Sequence, residues 1–216
     1  PVPAWFSRFN VTSLDGKYFA PHTQWYSLQL GAQGYVIEGT KDAQISLSAT
    51  AVDAQNEQHL WCFVGNNDEG YQLYNRYFGT DYVLAAPTTM SGKEGGSSFV
   101  RLVPADKVPK NYTSVWRFMD SKNVKATDGQ VVYMYEDKLP ANKVNNRDGK
   151  LSFWTGGADA GSTFVIRPVT VTDTAVTAIA LPSTNMASEE VYDLSGRHAE
   201  KTARGVLVMN GKKVVR

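Results

Sequence analysis

The chain has 216 residues, 22 basic against 21 acidic side chains, and a single cysteine. A formal net charge of +1 argues against a broad nucleic-acid surface or a polybasic membrane anchor, and one cysteine allows no internal disulfide. No run approaches the roughly 20 apolar residues that cross a bilayer as a helix. The sequence opens at Pro1 rather than at a methionine, so we expect that an upstream segment was removed.

Short alternating runs predict an all-β fold. A two-residue alternation of side-chain types occurs at residues 26–30, 71–73 and 133–135. These runs are rich in aromatic residues, which suits a half-buried pleated surface. No long segment has the i, i+3, i+4, i+7 spacing of an amphipathic helix. Dipeptides that tolerate a positive φ recur between the runs: Asp15-Gly16, Asp128-Gly129, Asp148-Gly149 and Asn210-Gly211. Many short strands with frequent turns are typical of a sandwich or a barrel.

One short pattern occurs three times and predicts a threefold repeat. Trp61, Trp116 and Phe164 are each followed two positions later by a second apolar residue, which places both side chains on one face of a strand. Three such units, each contributing one ring to a shared centre, predict a β-trefoil. Three unrelated core strands in another all-β domain are the alternative.

The repeats carry a family resemblance. Residues 20–169 resemble the ricin-type β-trefoil family, and the stretches that begin at Trp61 and Leu151 are similar to trefoil domains in secreted proteins of glycan-degrading Gram-negative bacteria. In that family a Q-x-W signature closes each repeat. Here His59, Ser114 and Ser162 occupy the glutamine position. The resemblance implies a trefoil over residues 1–169, while the departure argues against a galactose site of the ricin kind.

The composition changes after residue 169. Residues 170–188 are rich in Thr, Ala, Ser and Val, which is typical of a strand followed by a linker. Residues 189–216 contain the sequence Y-D-L-S-G-R and then a predicted hairpin around Asn210-Gly211. This tail resembles the C-terminal sorting domain of type IX secretion substrates. The resemblance implies a small C-terminal β-hairpin module and a secreted or cell-surface protein of a Gram-negative bacterium.

The residues of the chain do not predict catalysis. His22, His59 and His198 stand far apart, without a nucleophile or metal-ligand spacing, so we expect neither a metal nor a cofactor. Cys62 lies between Trp61 and Phe63 and therefore faces away from both, without an activating neighbour. Adjacent carboxylate pairs point to opposite faces of a strand. A glycosidase is the remaining enzymatic alternative, and it would need two carboxylates that face each other across a cleft.

Two loop clusters combine aromatic, amide and carboxylate side chains, which is the mixture that a sugar site needs. The first lies within residues 74–82 and the second within residues 142–154. The predicted glycan-binding residues are Tyr74, Asn75, Tyr77, Asp81, Asn145, Asn146, Asp148 and Trp154. Ordinary turn chemistry is the competing explanation, because Asn, Asp and Gly are also the residues that turns require.

These observations favour a non-catalytic carbohydrate-binding protein or module. We expect it to be exported and accessory to glycoside hydrolysis, with a glycan as its ligand and a hydrolase, or an upstream catalytic domain, as its partner. A protein-interaction or inhibitor trefoil is the alternative from another class.

Overall fold

The structure of the protein is a computed structural model. In it the chain divides into two compact units, Pro1–Val171 and Thr172–Arg216. Its description covers residues 7–41, 44–90, 99–155 and 159–172, together with the backbone of the strands within residues 191–215. Within these residues the regular structure is almost entirely β, and the helical segments are 3-10 turns of three residues. The predicted all-β class is confirmed.

A small antiparallel hairpin precedes the repeats. Strands β1 (Leu14–Asp15) and β2 (Tyr18–Phe19) pair directly. Gly16 in the connecting turn has a φ of 59°, a left-handed backbone conformation that costs glycine little. The Asp15-Gly16 turn signal is therefore confirmed.

The first repeat contains β3 (Trp25–Leu30), β4 (Tyr35–Ile37), β5 (Leu47–Ser48) and β6 (Trp61–Asn66). Its outer strands, β3 and β6, pair with each other, whereas β4 and β5 form a hairpin. The last strand begins at the predicted ring, Trp61.

The second repeat contains β7 (Gly70–Asn75), β8 (Tyr82–Pro87), β9 (Arg101–Pro104), the two-residue β10 (Tyr112–Thr113) and β11 (Trp116–Asp120). Strands β8 and β9 form the hairpin of this repeat, and β10 pairs with β8 on its other side. The last strand again begins at a predicted ring.

The third repeat contains β12 (Gln130–Glu136), β13 (Lys143–Arg147), β14 (Lys150–Trp154) and β15 (Thr163–Val169). Strands β13 and β14 form its hairpin. The ring Phe164 stands at the second position of the last strand.

Six strands, the first and the last of each repeat, close into a barrel in the described part of the chain. The order is β15-β12-β11-β7-β6-β3, and β15 pairs back onto β3 through Phe164–Val169. All of these pairings are antiparallel. Closure leaves the barrel without an open edge.

The three predicted rings share one core. Trp61, Trp116 and Phe164 are fully buried and belong to the same hydrophobic cluster. The Nε1–H of Trp61 donates to the carbonyl oxygen of Ile37 at 3.0 Å, and that of Trp116 donates to the carbonyl oxygen of Leu84 at 2.9 Å. Each indole thus ties the last strand of its repeat to the second strand. The three rings therefore lie in one hydrophobic core.

A second group of rings is built around Phe9, from the segment before the first repeat. Its ring stacks on Phe63 with a centroid distance of 4.0 Å and meets Tyr26, Tyr71 and Phe118 edge to face. Such aromatic contacts add to the free energy of area burial. The N-terminal segment therefore takes part in the barrel core.

A second, smaller hydrophobic cluster includes residues of β6, β7, β8 and β9. It contains Cys62, Tyr74 and Val83, and Leu14 and Phe19 of the first hairpin pack against it. Burial raises the pKa of the Cys62 thiol far above its ordinary value, so the thiol stays protonated and unreactive.

The second unit contains β16 (Val191–Asp193), β17 (His198–Ala199), β18 (Val206–Met209) and β19 (Lys212–Val215). These strands form an antiparallel sheet in the order β17-β16-β18-β19. The paired strands β18 and β19 are therefore part of a larger sheet that also contains β16 and β17. From residue 173 on, the predicted linker lies outside the described residues. Where helices are described, none has the length and apolarity needed to cross a bilayer.

The core indole at the second repeat gives the first prediction. Replacing Trp116 by Phe removes a buried hydrogen bond and part of the ring, so we expect the free energy of unfolding to fall by about 1–3 kcal/mol. Urea denaturation measures this change. Trp154→Phe, at a half-exposed position, is the control and should change it by less than about 1 kcal/mol. Equal effects of the two substitutions would contradict the central position of Trp116.

Candidate functional site

The loop after the first strand of each repeat is held by the same backbone hydrogen bond. Gly31 donates its N–H to the carbonyl of Thr163 at 2.9 Å, and Arg76 donates to Leu60 at 2.8 Å. The third repeat repeats the contact from Asp137 to Val115 at 3.0 Å. Three equivalent loops, residues 31–34, 76–81 and 137–142, therefore leave the barrel at equivalent points.

The strand end just before each loop faces a core ring. Asn75 is paired with Trp61. It is fully buried: its Nδ2 donates to the carbonyls of Gln58 (2.9 Å) and Leu60 (3.2 Å), and its Oδ1 accepts from the N–H of Tyr77 (3.2 Å). The predicted ligand residue Asn75 thus fixes the start of the loop from inside the fold. Its neighbour Tyr74 is also buried, in the smaller hydrophobic cluster that contains Cys62.

The loop at residues 76–81 carries a row of aromatic rings. Tyr77 is 61% exposed, and its ring lies 4.9 Å from that of Phe78. Phe78 in turn lies 6.1 Å from Tyr82, and the Nζ of Lys41 stands 4.7 Å from the Tyr82 ring centroid. The row leads from an exposed tyrosine to the first residue of β8.

Tyr82 also lines a surface cavity of about 430 Å³, called here the Asp81 cavity. Its lining residues come from three separate segments: Gly16, Lys17, Thr80, Asp81, Tyr82, Pro104, Ala105 and Asp106. The segments are tied together, because Thr80 Oγ1 donates to the carbonyl of Lys17 at 2.8 Å and the Ala105 N–H donates to the carbonyl of Asp81 at 2.9 Å. These two contacts use the Thr80 hydroxyl and main-chain groups, and neither uses the carboxylates of Asp81 and Asp106.

The Asp81 cavity offers two carboxylates, one ammonium group and one aromatic ring. Asp81 and Asp106 are both exposed, so their carboxylates stay in contact with water. Tyr18 is the first residue of β2, directly after Lys17, and it is 77% exposed. Strand β2 lies against the 3-10 turn Gly79–Asp81. Sequence patterns missed Lys17 and Asp106, because a lone charged residue in a turn carries no signal of its distant partners.

The equivalent loops of the other repeats are built differently. Residues 31–34 form a tight turn with glycines of positive φ at both ends. In the third loop, Arg117 Nε donates to Asp137 Oδ1 at 2.7 Å, and this hydrogen bond lowers the pKa of the Asp137 carboxyl. Neither loop carries an aromatic residue. The aromatic row is therefore a feature of the second repeat alone among the three loops.

The predicted residues of the second cluster lie in the β13–β14 hairpin, and Asn145 and Asn146 make hydrogen bonds within the protein. Asn145 is buried, and its Nδ2 donates to Ser162 Oγ at 2.9 Å. Asn146 Oδ1 accepts from the N–H of Gly149 at 2.9 Å, and Asp148 is exposed at a left-handed φ of 52° in the same turn.

Trp154, at the end of this hairpin, is half-buried. The guanidinium carbon of Arg147 lies 5.3 Å from its ring centroid. Of the eight predicted residues, only Asp81 belongs to the lining of the Asp81 cavity, and Tyr77 lies in the same loop.

No histidine belongs to the lining of this cavity. His59 is buried, and its Nδ1 accepts from the N–H of Asp53 at 3.1 Å. Across the residues with described positions, no group of three or more His, Cys, Asp or Glu could hold a metal ion.

Comparison with known proteins identifies the fold. No protein-family model and no curated protein sequence matches the chain. The solved structure of the BEL β-trefoil matches 69% of this chain and 95% of its own, with a TM-score of 0.50 and 14% identity. The first unit is a β-trefoil.

Two looser structural matches accompany it. A Macrolepiota procera ricin B-like lectin, solved with lactose, covers 68% of this chain and 97% of its own at a TM-score of 0.46 and 12% identity. A GlcNAcα1-4Gal-releasing endo-β-galactosidase from Clostridium perfringens covers 68% of this trefoil chain at a TM-score of 0.48 and 15% identity. The match takes in 33% of the enzyme's own chain.

Asn75 gives the second prediction. Its replacement by Ala removes three hydrogen bonds at a fully buried position, so the free energy of unfolding should fall by about 2–4 kcal/mol. Asn146→Ala, which opens only an exposed turn, is the control and should cost about 1 kcal/mol or less. Urea denaturation compares the two variants. A loss at Asn75 no larger than that at Asn146 would contradict its structural role.

Proposed function

We propose that this chain is a non-catalytic carbohydrate-binding module and that the Asp81 cavity is its glycan site. The observation that carries the proposal is the position of Asp81, which belongs both to the loop that the sequence predicts for binding and to the lining of the cavity. The trefoil fold and the sequence resemblance to ricin-type domains agree with it.

The chemistry of the cavity suits a sugar ring. Tyr82 supplies an aromatic face for the C–H side of the ring, and the carboxylates of Asp81 and Asp106 can accept hydrogen bonds from hydroxyl groups. The cavity volume of about 430 Å³ falls in the range of small-molecule sites. Exposed Tyr77 and Tyr18, in neighbouring segments, can extend the contact to further sugar units.

Exposure of the two carboxylates favours binding over hydrolysis. A glycosidase needs one carboxyl that stays protonated at working pH, which enzymes achieve by placing it in an apolar or like-charged environment. Asp81 and Asp106 are both open to water. We therefore propose that catalysis, where it accompanies this module, belongs to a partner hydrolase or to an upstream domain.

The glycan site gives the third prediction. The full chain should bind one class of glycan on an array, and calorimetry should show that Tyr77→Ala and Asp81→Asn each weaken that glycan at least about tenfold, or roughly 1.4 kcal/mol. Asp68→Asn, an exposed aspartate in the β6–β7 turn, is the matched control and should leave the affinity unchanged.

Three results would contradict this proposal. No binding to any glycan at millimolar concentration would exclude the function. Weakening by Asp148→Asn or Trp154→Ala, without an effect of Asp81→Asn, would move the site to the third hairpin. Saturable binding to one protein, without competition by sugars, would favour the interaction or inhibitor class, for which the exposed Tyr18 and Tyr77 are suitable contacts.

Export is the other part of the proposal. We infer from the Y-D-L-S-G-R sequence and the final hairpin that residues 189–216 direct the protein through type IX secretion to the cell surface. The fourth prediction is that fusing these residues to a periplasmic reporter moves it to the surface of a bacterium with this secretion system. Asp193→Ala with Arg197→Ala in the same fusion should abolish the transfer. A reporter that remains periplasmic with the intact tail would overturn this inference.

A further inference from the structure

One buried carboxyl occupies a position that an amide holds in the neighbouring repeat. Glu136 ends β12 opposite Trp116, as Asn75 ends β7 opposite Trp61. Both side chains are fully buried. The same backbone hydrogen bond follows each of them, from Asp137 to Val115 and from Arg76 to Leu60. The two positions are therefore equivalent in the trefoil.

The two side chains make the same contact with one of their polar atoms. Asn75 Oδ1 accepts from the backbone N–H of Tyr77, two residues further on. Glu136 Oε2 accepts from the backbone N–H of Lys138, also two residues further on, at 2.6 Å. Each side chain thus holds the start of its loop through an oxygen acceptor.

The second polar atom differs. In Asn75 it is Nδ2, which donates to the carbonyls of Gln58 and Leu60, three residues and one residue before the core ring. In Glu136 it is Oε1, which is buried and has no hydrogen-bond partner. The residues that correspond to Gln58 and Leu60 are Thr113 and Val115. A carboxylate has no proton to give to their carbonyls.

We propose that Glu136 is a neutral carboxylic acid in the native fold and that its Oε1–H donates to a main-chain carbonyl of residues 113–115. The added proton gives the side chain an acceptor oxygen and a donor group, as in Asn75, although the acid donates one hydrogen bond where the Asn75 amide donates two. It also removes the cost of an unpaired buried charge, which is larger than that of any single neutral group.

The charged groups around Glu136 are already engaged elsewhere or are exposed. Asp137 pairs with Arg117 from β11, and exposed Lys138 lies 3.3 Å from the same aspartate. From β13, Lys143 directs its Nζ to the carbonyl of Pro140 and lies over the Tyr135 ring.

Burial raises the pKa of the Glu136 carboxyl above the ordinary 4.5, and the charge of Asp137 raises it further. The backbone N–H groups of Lys138 and Leu139 and the charge of Lys138 lower this pKa. The largest of these effects is burial, so the environment favours the protonated form.

The neutral acid makes the stability of the module depend on pH in a defined direction. Because the pKa is higher in the folded chain than in the unfolded chain, the contribution of Glu136 is complete at acidic pH. It is lost as the pH rises through the folded pKa. Ionisation removes the Oε1–H donor and leaves a buried charge, whereas the N–H of Lys138 can still donate to the carboxylate.

Carboxyl ¹³C NMR of the full chain tests the proposal directly. The Glu136 carboxyl, assigned by its loss in Glu136→Gln, should keep the chemical shift of the protonated form after the exposed carboxyls have titrated. A Glu136 carboxyl that titrates together with the exposed ones would overturn the proposal. This measurement needs only the native protein once the resonance is assigned, and assignment from backbone connectivity serves if the variant does not fold.

Thermal unfolding provides the second arm. Glu136→Gln keeps the acceptor for Lys138 and adds a permanent donor, so Tm at about pH 8 should rise by roughly 2–4 °C and the gain should vanish at about pH 4. Glu69→Gln, at an exposed position in the β6–β7 turn, is the matched control and should leave Tm nearly unchanged at both values. A lower Tm for Glu136→Gln at the higher pH would mean that the carboxylate is the native form.

Discussion

The trefoil depends on the pairing of the last strand of each repeat with the first strand of the next, because these pairings help to close the barrel. At each of the three junctions a large ring from the last strand is buried opposite the end of the first strand. At two of them the indole also donates to a carbonyl of the repeat's second strand. Because the barrel closes, the three junctions share one core, and a cavity at any of them would weaken the packing of that common core.

The fixed junctions leave the neighbouring loops free to differ. After the first strand, the first repeat has a tight glycine turn, the second has exposed rings beside the Asp81 cavity, and the third has the pair of Arg117 and Asp137. A rigid scaffold with variable loops is the usual basis of binding proteins. The proposed glycan site therefore depends on one loop and on the segments that it meets, and the barrel itself only holds it in position.

The strand ends opposite the rings show three solutions to one packing problem. Leu30 fills its place with an apolar side chain, Asn75 with an amide that satisfies every polar atom, and Glu136 with a carboxyl that does so once it carries a proton. A polar side chain at such a place fixes the following loop through a backbone N–H, which leucine cannot do. Loop precision is thus gained at the cost of burying a polar group.

The sequence by itself determined the all-β class, the threefold repeat and the three buried rings, because alternation, turn residues and large aromatic side chains act locally along the chain. The sequence also predicts Asp81 and Tyr77 as glycan-binding residues, and that role stays a prediction. The tertiary structure alone decided that Asn75 and Asn145 lie inside the fold, since the same amide suits an exposed turn and a buried contact. It alone joined Lys17 and Asp106 to Asp81, because a cavity built from three distant segments exists only after the barrel has closed.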